Sequence, residues 1–309
     1  MPIRLLNNQA HWPAFFIVGA AKAGTTLLWS RLRSHPDLFL PEKKEFHYFS
    51  GIRPSPREKY VVQAVTDEKT YLRYFPSDRP SVLAGEASTS YLWEPHTAQR
   101  IHERVRDARI LILLRNPVDR LFSHYRMDVA LGLQPLGLWD AIQEDRTRKE
   151  KGWGISHLYL ELGYYAEQIE RYLAVFPERQ IRILYAPDLK ARPDQLLASV
   201  CAFLGVDPAH LPSHSSRIQT NAYAVGRTAW IRWLWRQHAL RSVGQKVLPQ
   251  SLRQALKSRF MDNPADPLVI DLSTHGWLSD HYASYQERLE TLLGPEACCL
   301  RESHIRPGS

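Results

Sequence analysis

The stretch Phe15-Phe16-Ile17-Val18-Gly19-Ala20-Ala21-Lys22-Ala23-Gly24-Thr25-Thr26-Leu27-Leu28-Trp29 decides the fold. Its first four residues form an apolar run that reads as a buried strand, two glycines then punctuate a tight turn, and Thr25 onward reads as a helix. Strand, glycine turn and helix in that order open a parallel α/β sheet. The alternation recurs. Ser81–Ala84, Arg109–Leu114 and Ile181–Tyr185 are the further strand candidates. The spacing predicts helices at about 25–34, 57–74, 96–106, 117–131, 161–175, 194–204 and 278–292. The expected fold class is therefore α/β, with a central parallel β-sheet flanked by helices on both faces.

Composition agrees with a globular protein and excludes several classes. The chain has 309 residues, 44% of them hydrophobic and 23% charged, which sets aside disordered, collagen-like and coiled-coil sequences. The 40 Lys+Arg against 32 Asp+Glu leave +8, a balance that favours anionic partners without naming one. Three cysteines, Cys201, Cys298 and Cys299, supply neither a disulfide framework nor a CxxC metal site. Apolar runs such as Phe15 to Ala21 fall far short of the ~20 residues that span a bilayer, and Asn7, Asn8, Gln9 and His11 interrupt any leader-like core. A cytoplasmic location is the expectation.

The loop itself carries chemistry. Backbone amides of Gly19 to Thr26, together with the N-terminus of the following helix, form a ready anion site. The spacing G-x4-G is P-loop-like, yet Thr25 stands where a P-loop has its lysine, and the lysine appears inside the loop as Lys22. An ordinary ATP or GTP site is disfavoured, while a purely structural turn stays open.

A second anion site is written in Leu113-Leu114-Arg115-Asn116-Pro117-Val118-Asp119-Arg120-Leu121-Phe122-Ser123. Asn116 suits an N-cap, Pro117 the first helical position and Asp119 the first turn. Arg115 then lies at the carboxyl end of a strand, the edge where open α/β sheets bind ligands, and Ser123 follows two helical turns on. An arginine paired with Asp119 and a serine satisfied within its helix are the structural alternative.

With both segments quoted, the chain resembles the sulfotransferases that use 3′-phosphoadenosine 5′-phosphosulfate (PAPS), in particular carbohydrate, heparan-sulfate-like and bacterial ones, over roughly residues 13–207. The resemblance implies a 5′-phosphosulfate loop at Lys22, Ala23, Gly24, Thr25 and Thr26, and a 3′-phosphate site at Arg115 and Ser123. It implies transfer to a small-molecule or glycan hydroxyl, no metal and no nucleic-acid partner. The segment Glu42-Lys43-Lys44-Glu45-Phe46-His47-Tyr48-Phe49 carries a carboxylate and an imidazole two residues apart soon after the loop helix, and in an extended segment both would point to one side. It is similar to the family's base segment, with Glu45 as general base and His47 supporting it or binding acceptor, while Glu45 paired with Lys43 or Lys44 on a solvated loop is the structural alternative. Lys22 would stabilise the leaving phosphate. In Gly85-Glu86-Ala87, Ala87 occupies a position where relatives often carry lysine, and Glu86 is a candidate partner for Lys22 or for a core polar group.

The expected organisation is an α/β core over 13–207 and a mostly helical C-terminal lid or extension over 208–309. Glycine and proline at 133–137 and 151–154 mark an excursion of the kind that covers active sites. Gly226-Arg227 resembles the family's late nucleotide-contacting loop, although Val225 replaces its usual lysine. The Arg/Trp-rich stretch 227–241 is either a helix docked on the core or an edge toward acceptor or an anionic membrane surface. A P-loop kinase and a nucleotide- or polyanion-binding module without turnover are the competing functions.

Overall fold

A computed structural model describes residues 12–53, 62–75, 82–211, 225–226, 261–262, 268–305 and 307. Its centre is a five-stranded sheet built from β1 (Phe15–Gly19), β2 (Leu38–Phe39), β3 (Leu83–Ala87), β4 (Arg109–Leu114) and β5 (Ile181–Tyr185). The spatial order is β2-β3-β1-β4-β5, and every pairing is parallel. Phe15 pairs with Gly85 on one side and Arg109 on the other, while Ile110 to Leu114 run level with Ile181 to Tyr185. Such strands are covered on both faces, which is why β1 and β4 read as unbroken apolar runs and are buried throughout apart from Arg109.

Helices flank the sheet: α1 (Thr25–Leu32), α2 (Glu68–Leu72), α3 (Ser90–Trp93), α4 (Thr97–Arg104), α5 (Pro117–Ala130), α6 (Leu138–Thr147), α7 (Tyr165–Leu173), α8 (Ala186–Ala191), α9 (Pro193–Leu204) and α10 (Leu272–Leu293). Leu28, Leu32, Ile101, Ile169 and Val200 join the strands in the main core, whereas Leu278 and Tyr282 of α10 close a second cluster with Val118 and Leu121 of α5. None of the described helices is long and apolar enough to cross a membrane.

Several boundaries differ from expectation for identifiable reasons. The strand placed at Ser81–Ala84 runs over Leu83–Ala87, because Glu86 enters the core with hydrogen-bond partners of its own. There Phe15 crosses so closely that a Cβ on Gly85 would overlap its ring. The helix placed at 57–74 is described only as Glu68–Leu72, started by Asp67 accepting from the Thr70 N–H at 2.7 Å, while 54–61 lie outside the described residues. The last helix begins earlier than 278, since Asp271 caps it by accepting from the Thr274 N–H at 2.8 Å. α6 occupies part of the glycine- and proline-marked excursion, and β2 is too short to leave a periodic signal.

Candidate active site

A cavity of about 680 Å³ opens above the carboxyl ends of the strands. The segments after β1, β3, β4 and β5 all reach it, through Ala21 to Thr26, Thr89, Arg115 with Asn116, and Ala186, Pro187, Leu189 and Lys190 at the start of α8. Strand order reverses between β1 and β4, so the crevice forms where a doubly wound sheet leaves its loops splayed apart.

Gly24 makes the first turn possible. It precedes α1 at φ 111°, a conformation open to glycine and costly for side chains, and so Thr25 and Thr26 begin the helix with their amides directed at the cavity end. Lys22 sits at φ 67°, its Nζ 3.4 Å from Met127 Sδ. Burial pulls the Lys22 amine down to about 8, against an upward pull from Asp128, with Arg115, Arg120 and Lys44 adding to the fall. Its charge is therefore responsive to a nearby anion, which would raise the amine again.

At the second anion site Arg115 donates to the Lys22 carbonyl at 3.2 Å and lies 3.8 Å from Asp119, so the loop and the β4 end are joined by the arginine itself. Asn116 caps α5 by accepting from the Asp119 N–H at 3.0 Å, as its sequence position predicts. Ser123 is half-buried on the same cavity wall. Sequence reasoning missed what completes this region. Asn116 Nδ2 donates to the carbonyls of Leu300 and Arg301, and Asp119 accepts from Ser303 Oγ and the His304 N–H. Glu302, His304 and Ile305 consequently line the cavity, with no local signal to announce them.

The base segment meets the cavity from the β3 side. The Glu45 N–H donates to the Ala87 carbonyl at 2.9 Å, and Glu45 Oε2 accepts from the Thr89 N–H at 2.7 Å and the Thr89 hydroxyl at 3.2 Å. Its other oxygen is bonded to Lys44. Burial pushes the Glu45 carboxyl up, but Lys44, His47 and the Thr89 amide outweigh it and hold the group below the usual carboxylate range. Glu45 is ionised near neutrality. His47 Nε2 lies 3.9 Å from Glu45, its Nδ1 is 2.7 Å from Ser90 Oγ, and burial pulls the imidazole down, leaving it neutral. Both residues have positive φ, 66° and 55°, an arrangement that side chains rarely adopt without enforcement by their surroundings. The pairing of Glu45 with Lys44 is one that sequence left as the alternative, but it lies on the cavity wall with the Lys44 side chain 12% exposed and not on a solvated loop, and positive φ replaces the extended backbone expected there.

Glu86 has a different place from a partner of Lys22. It is 1% exposed and accepts from Tyr71 at 2.5 Å, Ser88 at 2.6 Å and Tyr91 at 3.0 Å. Burial raises it to about 7. It is the core polar group that sequence left as the alternative.

The excursion does reach the site. Trp153 lies 5.7 Å from the His47 ring, and His157 Nδ1 donates at 2.6 Å to Asp128, whose carboxylate also accepts from Tyr159 at 2.9 Å. His124, one turn before Asp128 on α5, faces the same carboxylate at 3.5 Å. Arg227 and the stretch 227–241 lie outside the described residues. Among the described residues, one group with metal-ligand proximity occurs, His35, Asp37 and His210, away from the cavity. Both ring nitrogens of His35 are engaged there, Nδ1 by the Asp37 N–H and Nε2 by the Asp207 carbonyl, so it clasps β2 to the turn after α9.

Comparison with known proteins gives the family. Residues 13–210 match the sulfotransferase family, and the chain belongs to it. A membrane-associated sulfotransferase of Dictyostelium discoideum is 32% identical over 38% of this chain, and a bifunctional heparan sulfate N-deacetylase/N-sulfotransferase of Mus musculus is 28% identical over 64%. Each match spans only 23% of that relative's own length. The crystal structure of a sulfotransferase from Alicyclobacillus acidocaldarius, at 30% identity, superposes with a TM-score of 0.69, covering 94% of this chain and all of the other.

Proposed function

We propose that the protein transfers a sulfuryl group from PAPS to a hydroxyl on a glycan or small-molecule acceptor. The observation that carries this reading is one cavity with cations at two separate points, the Lys22 loop and Arg115, and an ionised carboxylate between Lys44 and Thr89. The residues fit the nucleotide. Lys22 and the amides of Ala23 to Thr26 would hold its 5′ end, and Arg115 with Ser123 its 3′-phosphate. When bound, the nucleotide supplies the sulfuryl group, whose bond to the bridging phosphate oxygen breaks with its electron pair as the acceptor oxygen bonds to sulfur.

Glu45 takes the acceptor's proton, a role that needs an ionised carboxylate in place before reaction. Thr89 fixes its direction through two bonds to one oxygen. His47, anchored to Ser90, positions Glu45 and borders the acceptor with Trp153. Lys22 meets the charge that develops on the leaving oxygen, where a preplaced cation in a secluded site is most effective. A magnesium-dependent kinase is less well served, because Arg115 stands at the β4 end where an acidic metal ligand would help.

Thermal melting with 3′,5′-adenosine bisphosphate and, separately, with ATP plus magnesium tests this. The bisphosphate at 100 times its dissociation constant stabilises by roughly 2.7 kcal/mol without metal. Stabilisation by magnesium-ATP alone would favour the kinase.

A further inference from the structure

Lys44 stands between the two halves of the proposed chemistry. Its Nζ lies 3.3 Å from the hydroxyl of Thr25, the first residue of α1 behind the loop, and is also bonded to Glu45. The side chain is 12% exposed, so the ammonium is largely withdrawn from water yet remains on the cavity wall. Among the described residues the other lysines of that wall serve other points. Lys22 is placed against Met127, and Lys190 belongs to α8 after the last strand. Ala87, whose carbonyl receives the Glu45 N–H, brings no charge to the end of β3.

A sulfonate and an ionised Glu45 must both approach the same acceptor oxygen, and two anions a few ångströms apart repel unless a cation lies between them. We propose that Lys44 binds the sulfonate oxygens of the donor, and that this contact and its ion pair with Glu45 are alternatives. The proposal rests on the reading of the cavity as a PAPS site. When Lys44 turns to the sulfonate, Glu45 keeps its two bonds from Thr89 and so keeps its aim. It loses its closest cation and becomes a stronger proton acceptor. Donor binding thereby prepares the base, and an empty site holds Glu45 in a less basic state.

The test uses PAPS and 3′,5′-adenosine bisphosphate, which share both phosphate ends and differ by the sulfonate. Calorimetric titration of the parent protein, Lys44→Met, Lys44→Arg, Glu45→Gln and the Lys44→Met/Glu45→Gln double variant compares the two ligands, with melting of each unliganded variant as a check on folding. Lys44→Met weakens PAPS about tenfold or more, the weight of one charge-assisted hydrogen bond, and leaves the bisphosphate unchanged. Lys44→Arg keeps most of the preference. Glu45→Gln, which releases the ammonium, tightens PAPS alone, and the double variant loses that gain. Equal losses for both ligands in Lys44→Met, or an unaltered preference, overturn the proposal. Should Lys44→Met fail to fold, a Glu45→Gln variant with no gain for PAPS overturns it instead. A parent protein that binds neither nucleotide defeats the underlying PAPS reading before any variant is compared, and the role of Lys44 falls with it.

Discussion

The two ends of the cavity are held by different means. At the proposed donor end, Lys22 and Arg115 follow strands that lead directly into helices; Lys22 is itself at positive φ, but Gly24 and the Asn116 cap that set these two junctions lie within two residues of them. At the proposed acceptor end, Glu45 and His47 lie in irregular backbone at positive φ, as does Leu158 on the same cavity wall, held by Ala87, Thr89, Ser88, Ser90 and Asp145 from elsewhere in the chain. Regular junctions suit a ligand whose charges are fixed. Irregular segments can change between relatives without disturbing the sheet, which suits a site facing a variable acceptor.

The strongest test of this division is Glu45→Gln. Turnover, followed as release of 3′,5′-adenosine bisphosphate with any acceptor that supports it, falls by roughly 10²- to 10⁴-fold while affinity for the bisphosphate stays unchanged. Parallel loss of nucleotide affinity would mean that the two ends are not separable.

Arg115→Ala or Ser123→Ala perturbs only the donor end. Affinity for 3′,5′-adenosine bisphosphate drops by about 10- to 100-fold for the arginine and less for the serine. Adenosine 5′-phosphosulfate, which has no 3′-phosphate, is nearly unaffected, and equal losses for both ligands would remove the assignment.

Lys22 gives a pH signature. Burial leaves the free amine at about 8, so kcat/KM for PAPS falls as pH rises through that value. In kcat the same limb moves to higher pH, because bound anion favours the protonated amine. A limb that stays in place, or survives in Lys22→Met, would assign it to another group.

A separate effect, outside the cavity, is on stability. Glu86 has its folded value raised to about 7 from a normal 4.5, so its protonated form favours the folded state, and that contribution is full below about 4.5 and lost as pH rises through about 7. Urea unfolding of Glu86→Gln shows a flatter pH profile across this window, by up to about 3 kcal/mol. Unchanged nucleotide affinity in the same variant would keep Glu86 in the core and out of the site.

The same division explains what could be read from sequence. β1, β4 and β5 were legible as apolar runs, and α5 from Asn116 and Pro117, because caps and buried strands leave their signals within a few residues. Glu45 and His47 were legible as a carboxylate and an imidazole two residues apart and through resemblance, but their backbone was not: the positive φ that replaces an extended segment comes with bonds to Ala87, Thr89 and Ser88, about forty residues away. Lys44 could be read as one of two adjacent lysines able to pair with Glu45, and only its contacts with Thr25 and Glu45 single it out from Lys43. The pairing of Asp128 with His157 spans 29 residues and an intervening helix, and no period or motif links them.

Asn116 and Leu300 are 184 residues apart, and Asp119 and His304 are 185. During synthesis the donor loop and Arg115 emerge early, but Asn116 Nδ2 and the Asp119 carboxylate must wait for partners made much later. On the proposed reading, the segments for the 5′ end of the nucleotide are made long before the wall around its 3′ end can close. Closing so long a loop costs entropy that the shorter chain cannot recover. On that reading, capture of the bisphosphate nucleotide doubles as a report that residues 300–304 have docked, and ligand-induced protection from proteolysis would mature late, with them.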